Sequence, residues 1–159
     1  ASEKRKEKVD FSISYHAIKD AVLVKADAGI EIKSVYDIAK YKVASQTGTI
    51  QEKWIQENLI KTGKLAAENY FSYERVDNAA MDVKAGRVDV LLIIADPATS
   101  LAEKNSLKIA LITTETVSAG QSLAVTKGNT ELLNAINKAI EELQADGTLK
   151  KLMDKYKLL

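Results

Sequence analysis

The stretch Lys42-Val43-Ala44-Ser45-Gln46-Thr47-Gly48-Thr49-Ile50-Gln51 constrains the fold more than any other part of the chain. Its first half predicts a strand that ends at Gln46, and the run from about Ile50 to Ile60 predicts a helix. Gly48 suits a tight turn between them, because glycine adopts backbone angles that other residues avoid. A strand that passes through a short turn into a helix is the building unit of an α/β protein.

Strands and helices alternate on both sides of this unit. Val88–Ile94 is nearly all apolar, which is typical of strands buried on both faces of a parallel sheet. Ser34 predicts a capped helical turn, and Gly86 predicts the end of a helix. We therefore expect an α/β fold with mainly parallel pairing. Further strands are predicted over residues 9–15, 21–25, 68–72, 107–111 and 121–126, and further helices over residues 77–85 and 98–104.

Two helices are predicted in the C-terminal region. Asn129 is placed to cap the first, over residues 130–144, and Asp146-Gly147 separates it from a second that begins near Thr148. Apolar residues at helical spacing form one stripe along the first helix, and we predict that this stripe is buried. Its members are Leu132, Ile136, Ile140 and Leu143.

Composition excludes several classes of function. The 23 basic and 22 acidic residues give no field that would attract nucleic acid, so we expect no nucleic-acid partner. With no cysteine and one histidine, we expect neither a metal site nor a catalytic triad, and no cofactor. No apolar run reaches the roughly 18 residues of a membrane span. No signal peptide is visible within these residues.

The turn at Gly48 has the chemistry of an anion site. The free N–H groups of a first helical turn point outward at the positive end of the helix dipole, where a carboxylate or phosphate can bind. Gln46, Thr49 and Ile50 are the candidate binding residues. The Gly-Lys-Ser/Thr ending of a phosphate-binding P-loop is missing. An ordinary capped strand-to-helix turn explains the same residues equally well.

Two charged residues are further candidates. Arg5 could clamp a carboxylate through two parallel hydrogen bonds, or it could be an ordinary surface arginine. Asp96 follows an apolar strand end, the edge at which open α/β sheets tend to bind ligands, and could hold an ammonium group. Alternatively, Asp96 caps the helix that begins near Pro97.

Several segments, taken in order, resemble the amino-acid-binding proteins of the type II solute-binding family that serves ABC importers. Each segment is weak alone, but together they cover nearly the whole chain in the order of that family. The resemblance implies an extracytoplasmic protein that binds an L-amino acid and delivers it to a membrane permease. The segments are Ser2–Arg5, VDFSISY from Val9, VLVKAD from Val22, SVYDIAKYKVASQTGT from Ser34, MDVKAGRVDV from Met81, and Leu123–Tyr156.

The resemblance also assigns roles to residues. It implies that Arg5, in its Ser-x-x-Arg context, binds the ligand carboxylate together with Thr49 and the backbone N–H of Ile50. It implies one complete lobe with a doubly wound, parallel sheet over residues 16–116. Residues 1–15 would end lobe one and form the first crossing segment. Residues 117–159 would form the second crossing segment and the C-terminal helices of lobe one.

Two features depart from the family pattern. The family's ammonium-binding aspartate usually follows the VDxxx strand directly, where this chain has Ile93, Ile94 or Ala95, so that Asp96 fits only with a shift. The N-terminal half of lobe one precedes the first matching segment in the family. We therefore expect either self-association of this chain or binding to a complementing half-lobe.

Three functions are compatible with the resemblance. The first is a binding protein of an ABC importer, periplasmic or extracellular, and lipid-anchored in a Gram-positive or archaeal cell. The second is the ligand-sensing domain of a receptor or regulator. The third is a dehydratase on the same scaffold, which needs a general acid that the sequence does not reveal. We expect the first, and therefore no enzymatic activity.

Overall fold

The computed structural model describes residues 3–116, 120–156 and 158, with residues 3 and 4 described by their backbone alone. Ser2, the first residue of the predicted Ser-x-x-Arg context, lies outside the described residues. The chain divides into two compact units. The larger unit spans residues 19–117, and the smaller unit combines residues 1–18 with residues 118–159.

The larger unit is built on a sheet of five strands with the order β4-β3-β5-β2-β6. Strand β3 pairs in parallel with β4 and β5, whereas β2 pairs antiparallel with β5 and β6. Four strands therefore run in one direction, and β2 lies between two of them in the other. The strands are β2 (Asp20–Lys25), β3 (Val43–Gln46), β4 (Tyr70–Tyr73), β5 (Val90–Ile94) and β6 (Leu107–Thr113).

The α/β class is confirmed, but the prediction of mainly parallel pairing is wrong for β2. That prediction took continuous apolar runs as a sign of parallel strands. β2 is buried at its first five positions because its neighbours cover both edges, whichever way it runs. An apolar run of this kind indicates that a strand is central in its sheet. It does not indicate the direction of the strand.

The core of the larger unit joins the sheet to the helices around it. Alternate residues of β2 and β5 pack in one cluster with side chains of the helical segments, and burial of such apolar side chains stabilises the fold. The fully buried members of this core are Val22, Val24, Val35, Ile38, Val43, Ile55, Leu59, Val90 and Leu92.

The helices of the larger unit begin and end close to the predicted positions. Ser34 accepts a hydrogen bond from the N–H of Tyr36 (3.3 Å) and caps the 3₁₀-helix Val35–Lys40, as predicted. Gly86 follows the end of α3 with a φ of 72°, in the left-handed region that favours glycine. The helices are α2 (Ile50–Ile55), extended by a π-helical turn (Gln56–Ile60), the 3₁₀-turn Ala67–Asn69, α3 (Val76–Lys84) and α4 (Ala98–Asn105).

The smaller unit combines a two-stranded ribbon with helices. Strand β1 (Val9–Phe11) pairs antiparallel with β7 (Ala124–Thr126), and an isolated bridge joins His16 to Gln121. The oxygen atom of the Asn129 side chain accepts from the N–H of Leu132 (3.3 Å), which confirms the predicted cap. The helices are α1 (Glu3–Lys6), α5 (Thr130–Ala145) and α6 (Thr148–Tyr156).

The predicted buried stripe of α5 is wrong for two of its four members. Ile140 is buried (5% exposed), but Leu132 and Leu143 are 47% and 37% exposed. The face of α5 that meets the rest of the unit is rotated from the stripe. Asn137 accepts from the N–H of Ile13 (2.9 Å), and Gln144 donates to the carbonyl oxygen of Ser14 (3.2 Å). Ile136, the fourth member of the stripe, is half-buried.

Candidate functional site

The turn after β3 is held by hydrogen bonds to the neighbouring edge strand. The N–H of Thr47 donates to the carbonyl oxygen of Tyr73 (2.9 Å), and the Gln46 side chain donates to the carbonyl oxygen of Glu74 (3.1 Å). Gly48 has a φ of 75°, so the backbone itself requires glycine there although a side chain would have room. The predicted strand–turn–helix arrangement is therefore present.

The first turn of α2 is closed by a reciprocal cap. The hydroxyl of Thr49 accepts from the N–H of Glu52 (3.2 Å), and the Glu52 carboxylate accepts from the N–H of Gly48 (2.6 Å). Ser72 and Tyr70 on β4 also donate to this carboxylate, at 2.7 and 3.2 Å. The bonds from Ser72 and from the Gly48 N–H lower the pKa of Glu52. The loop is therefore tied at both ends before any ligand binds.

These contacts define which donors remain for an anion. The Thr49 hydroxyl donates its single proton to the carbonyl oxygen of Gln46 (2.6 Å), so it is already committed. In the part of the chain that the structure describes, no acceptor is bonded to the N–H groups of Thr49 or Ile50. Ile50 is 48% exposed. The site therefore presents backbone N–H groups to solvent, in the geometry that binds carboxylates.

A small recess of about 60 Å³ adjoins this turn. Such a volume accommodates a water molecule or an ammonium group. Three of its lining side chains are polar and five are apolar. They are Gln46, Thr49, Gln51, Val76, Leu92, Ile93, Ile94 and Pro97.

Asp96 is half-buried and lies two residues beyond the end of β5. It is not among the residues that line the recess. The N-cap position of α4 falls on Pro97, so Asp96 does not occupy the capping position that the alternative interpretation gave it. Its role towards an ammonium group stays a prediction.

Arg5 belongs to the smaller unit, whereas the other four candidate residues belong to the larger one. The Arg5 side chain is exposed and lines an open depression of about 570 Å³. Lys8, Val9, Phe11 and Ala124 complete the lining of that depression. Its predicted contact with a ligand carboxylate stays a prediction.

The sequence interpretation missed a buried carboxylate behind the recess. Asp20, at the start of β2, is fully buried. Gln51 donates to one of its oxygens (2.6 Å), and the hydroxyl of Thr116 donates to the other. Burial raises the pKa of Asp20, and the bonds from Thr116 and Gln51 offset part of that effect. Gln51 ends the stretch quoted first, but Asp20 stands 31 positions earlier and outside every quoted segment, so no sequence motif pairs the two.

The described residues lack two further features. No group of three or more histidine, cysteine, aspartate or glutamate side chains is placed to hold a metal ion there. Helices long and apolar enough to cross a bilayer were also not found in that part of the chain.

The sheet has one reversed strand, and a capped loop follows the C-terminal end of β3. Comparison with solved structures confirms that this is the type II periplasmic-binding-protein fold. The similarity is close for an ancestral arginine-binding protein bound to arginine: TM-score 0.78, 32% identity, 98% of this chain and 67% of that one. The ancestral amino-acid-binding protein AncCDT-1, a precursor of cyclohexadienyl dehydratase, gives TM-score 0.77 and 30% identity over 98% of this chain and 64% of its own.

Residues 1–158 match the bacterial extracellular solute-binding proteins, family 3, and the chain belongs to this family. One similar relative is the L-cystine-binding protein TcyJ of Escherichia coli (strain K12), which is 34% identical over 156 residues. The match covers 98% of this chain and 56% of TcyJ. The chain thus spans about half the length of this curated relative.

Proposed function

We propose that the protein binds an L-amino acid outside the cytoplasm and delivers it to the permease of an ABC importer. The observation that carries this proposal is the turn at Thr49 and Ile50, whose N–H groups lack acceptors within the described residues. Membership of the solute-binding family supports it, as do relatives named for binding cystine and arginine. In this proposal the N–H groups of Thr49 and Ile50 bind the ligand carboxylate.

Arg5, Gln46 and Asp96 remain proposed ligand contacts. Arg5 supplies a charge-assisted bond to the carboxylate, and Asp96 is a candidate partner for the ammonium group. We also propose residues 16–116 as one complete lobe, between crossing segments that belong to residues 1–15 and 117–159. The similarity of the whole chain to the family supports this assignment.

The proposed activity is binding without catalysis. The eight residues that line the recess include no acid, histidine or lysine, so none of them can act as a general acid. This supports a binding protein over a dehydratase, even though one structural relative is a precursor of such an enzyme.

The test is calorimetric titration of the full-length protein with a panel of L-amino acids that includes L-arginine and L-cystine. The proposal predicts saturable one-to-one binding of at least one of them. Matching D-amino acids serve as controls, because a site that holds both the carboxylate and the ammonium group discriminates between enantiomers. Absence of binding across the panel would contradict the proposal.

A further inference from the structure

An amino acid held by its carboxylate at Thr49 and Ile50 needs an acceptor for its ammonium group close by. The recess beside the turn has the volume for such a group. On one side it is lined by Ile93 and Ile94, which offer only apolar side chains. Among the residues that line the recess, only the polar ones can supply such an acceptor through a side chain.

Gln51 is the buried member of the polar residues that line the recess, and a hydrogen bond holds its amide. Its Nε2 donates to Asp20 Oδ1 (2.6 Å). The hydroxyl of Thr116 donates to Oδ2, so both oxygens of the carboxylate act as acceptors. An ionised carboxylate cannot donate, so the NH₂ end of the Gln51 amide must face Asp20. The carbonyl oxygen, Oε1, is then the end that is left for the recess.

Asp20 also contributes charge. It stands directly across the β2–β5 ladder from Ile94, so the two side chains lie side by side on one face of the sheet. A carboxylate that accepts from the NH₂ of an amide polarises that amide and makes its carbonyl oxygen a stronger acceptor. In a poorly hydrated site the same negative charge favours a nearby cation.

We propose that Gln51 Oε1 accepts a hydrogen bond from the ligand ammonium group, and that Asp20 is the positioning residue that orients Gln51 and supplies the counter-charge. This inference rests on the proposed function and names the ammonium subsite of the same site. It replaces a direct carboxylate–ammonium contact by an amide with a carboxylate behind it.

The test compares an amino acid with the same molecule lacking its α-amino group. The probe pairs are L-arginine with 5-guanidinopentanoate, and L-cystine with 3,3′-dithiodipropionate, titrated into the full-length protein. The quantity of interest is the ratio of the two affinities within a pair. This ratio isolates the ammonium subsite, because the two members share the carboxylate and the side chain.

Asp20→Asn should lower the ratio by about tenfold or more, the scale of a lost charge-assisted bond. The reason is that an asparagine NH₂ can donate to Gln51 Oε1, so the glutamine amide turns its NH₂ towards the recess. Gln51→Met removes the acceptor at similar size and should lower the ratio as well. The matched control is Asp89→Asn. The Asp89 carboxylate, just before β5, accepts a hydrogen bond from the N–H of Lys42 (2.9 Å). This substitution should leave the ratio unchanged.

Each outcome decides the inference. Equal weakening of both members of a pair would show that Asp20 acts only on the fold and would overturn the proposal. A ratio that falls with Asp96→Asn but not with Asp20→Asn or Gln51→Met would assign the ammonium to Asp96 instead. If Asp20→Asn does not fold, as judged by its melting curve, Gln51→Met alone decides. Failure of the wild type to bind any amino acid would contradict the proposed function and, with it, this inference.

Discussion

At the scale of single residues, the proposed anion site before α2 consists of backbone N–H groups, and the side chains there hold the turn. The Thr49 hydroxyl is used twice, towards Gln46 and Glu52. Threonine at this position therefore shapes the turn, and the N–H groups of Thr49 and Ile50 are left to bind. A sequence pattern can suggest a threonine as a ligand contact, but it does not show where the hydroxyl proton goes.

Arg5 offers a prediction at the same scale. Arg5→Ala should weaken amino-acid binding by roughly 1.5–3 kcal/mol, the loss of a charge-assisted hydrogen bond. Arg5→Lys should restore only part of the affinity, because lysine cannot form two parallel bonds to a carboxylate. Calorimetry on the full-length protein measures both effects.

The control is Lys8→Ala, which removes a neighbouring cation from the same depression. It should change the affinity little. Equal effects of Arg5→Ala and Lys8→Ala would show that only general electrostatic attraction is involved. Arg5 would then be excluded as a direct ligand contact.

At the scale of elements, the 3₁₀-helix Val35–Lys40 carries a capping box with a defined pH response. Asp37 pairs with Lys40 (2.5 Å) and accepts from the N–H groups of Ser34 and Lys33. The bond from Lys40, followed by the two backbone bonds, lowers the pKa of Asp37 from 3.8 to about 2. A lowered carboxyl pKa stabilises the folded state above the unfolded value and loses that effect as the pH falls through the folded value.

We therefore expect the stability difference between wild type and Asp37→Asn to be constant above about pH 5 and to shrink between about pH 4 and pH 2. Urea unfolding at a series of pH values measures it, and other titrating groups cancel in the difference. Lys40→Met should weaken the pH dependence, because it removes the largest cause of the shift. A difference that stays constant down to pH 2 would contradict this account of the cap.

The rotated face of α5 gives a second prediction for an element. Ile140→Ala should cost about 2–5 kcal/mol of unfolding free energy, as for other buried aliphatic truncations. Leu132→Ala, at an exposed position of the same stripe, should change the unfolding free energy by about 0.5 kcal/mol or less. Denaturant unfolding of both variants tests this. Similar losses for both would show that the whole stripe is buried in solution.

Local features of the elements could be predicted from sequence, and features that join distant segments could not. The caps at Ser34 and Asn129 and the left-handed Gly86 follow from residues next to each other. The reversed direction of β2 and the face of α5 depend on contacts between segments far apart in the chain. In the same way, the residue types at the turn indicated an anion site. The Asp20–Gln51 hydrogen bond could not be predicted, because it joins a strand and a helix that are distant in the chain.

At the scale of the whole molecule, the smaller unit exposes apolar surface. Besides Leu132 and Leu143, an apolar depression of about 180 Å³ involves α6. Patches of this kind drive association when no partner covers them. The residues that line the depression are Tyr15, His16, Gln121, Leu149, Leu152, Met153, Tyr156 and Leu158.

We therefore expect the 159-residue chain to self-associate through this apolar surface. Light scattering over a dilution series should show a mass that rises with concentration, and Leu132→Ser with Leu143→Ser should reduce the rise. A monomer at all concentrations, with strongly protected amides in α5 and α6, would contradict this expectation.

The measurement that tests the central claim most directly is amino-acid binding by Ile50→Pro. Proline at the first position of a helix removes one N–H without disturbing the helix, and the extended Thr49 before it (φ −91°, ψ 166°) accommodates a following proline. Ile50→Ala is the matched control, because it removes the side chain and keeps the N–H. The account predicts that Ile50→Pro binds its L-amino acid about tenfold or more weakly than Ile50→Ala, with an unchanged melting curve. Equal affinities of the two variants would show that the ligand carboxylate is not held by this N–H.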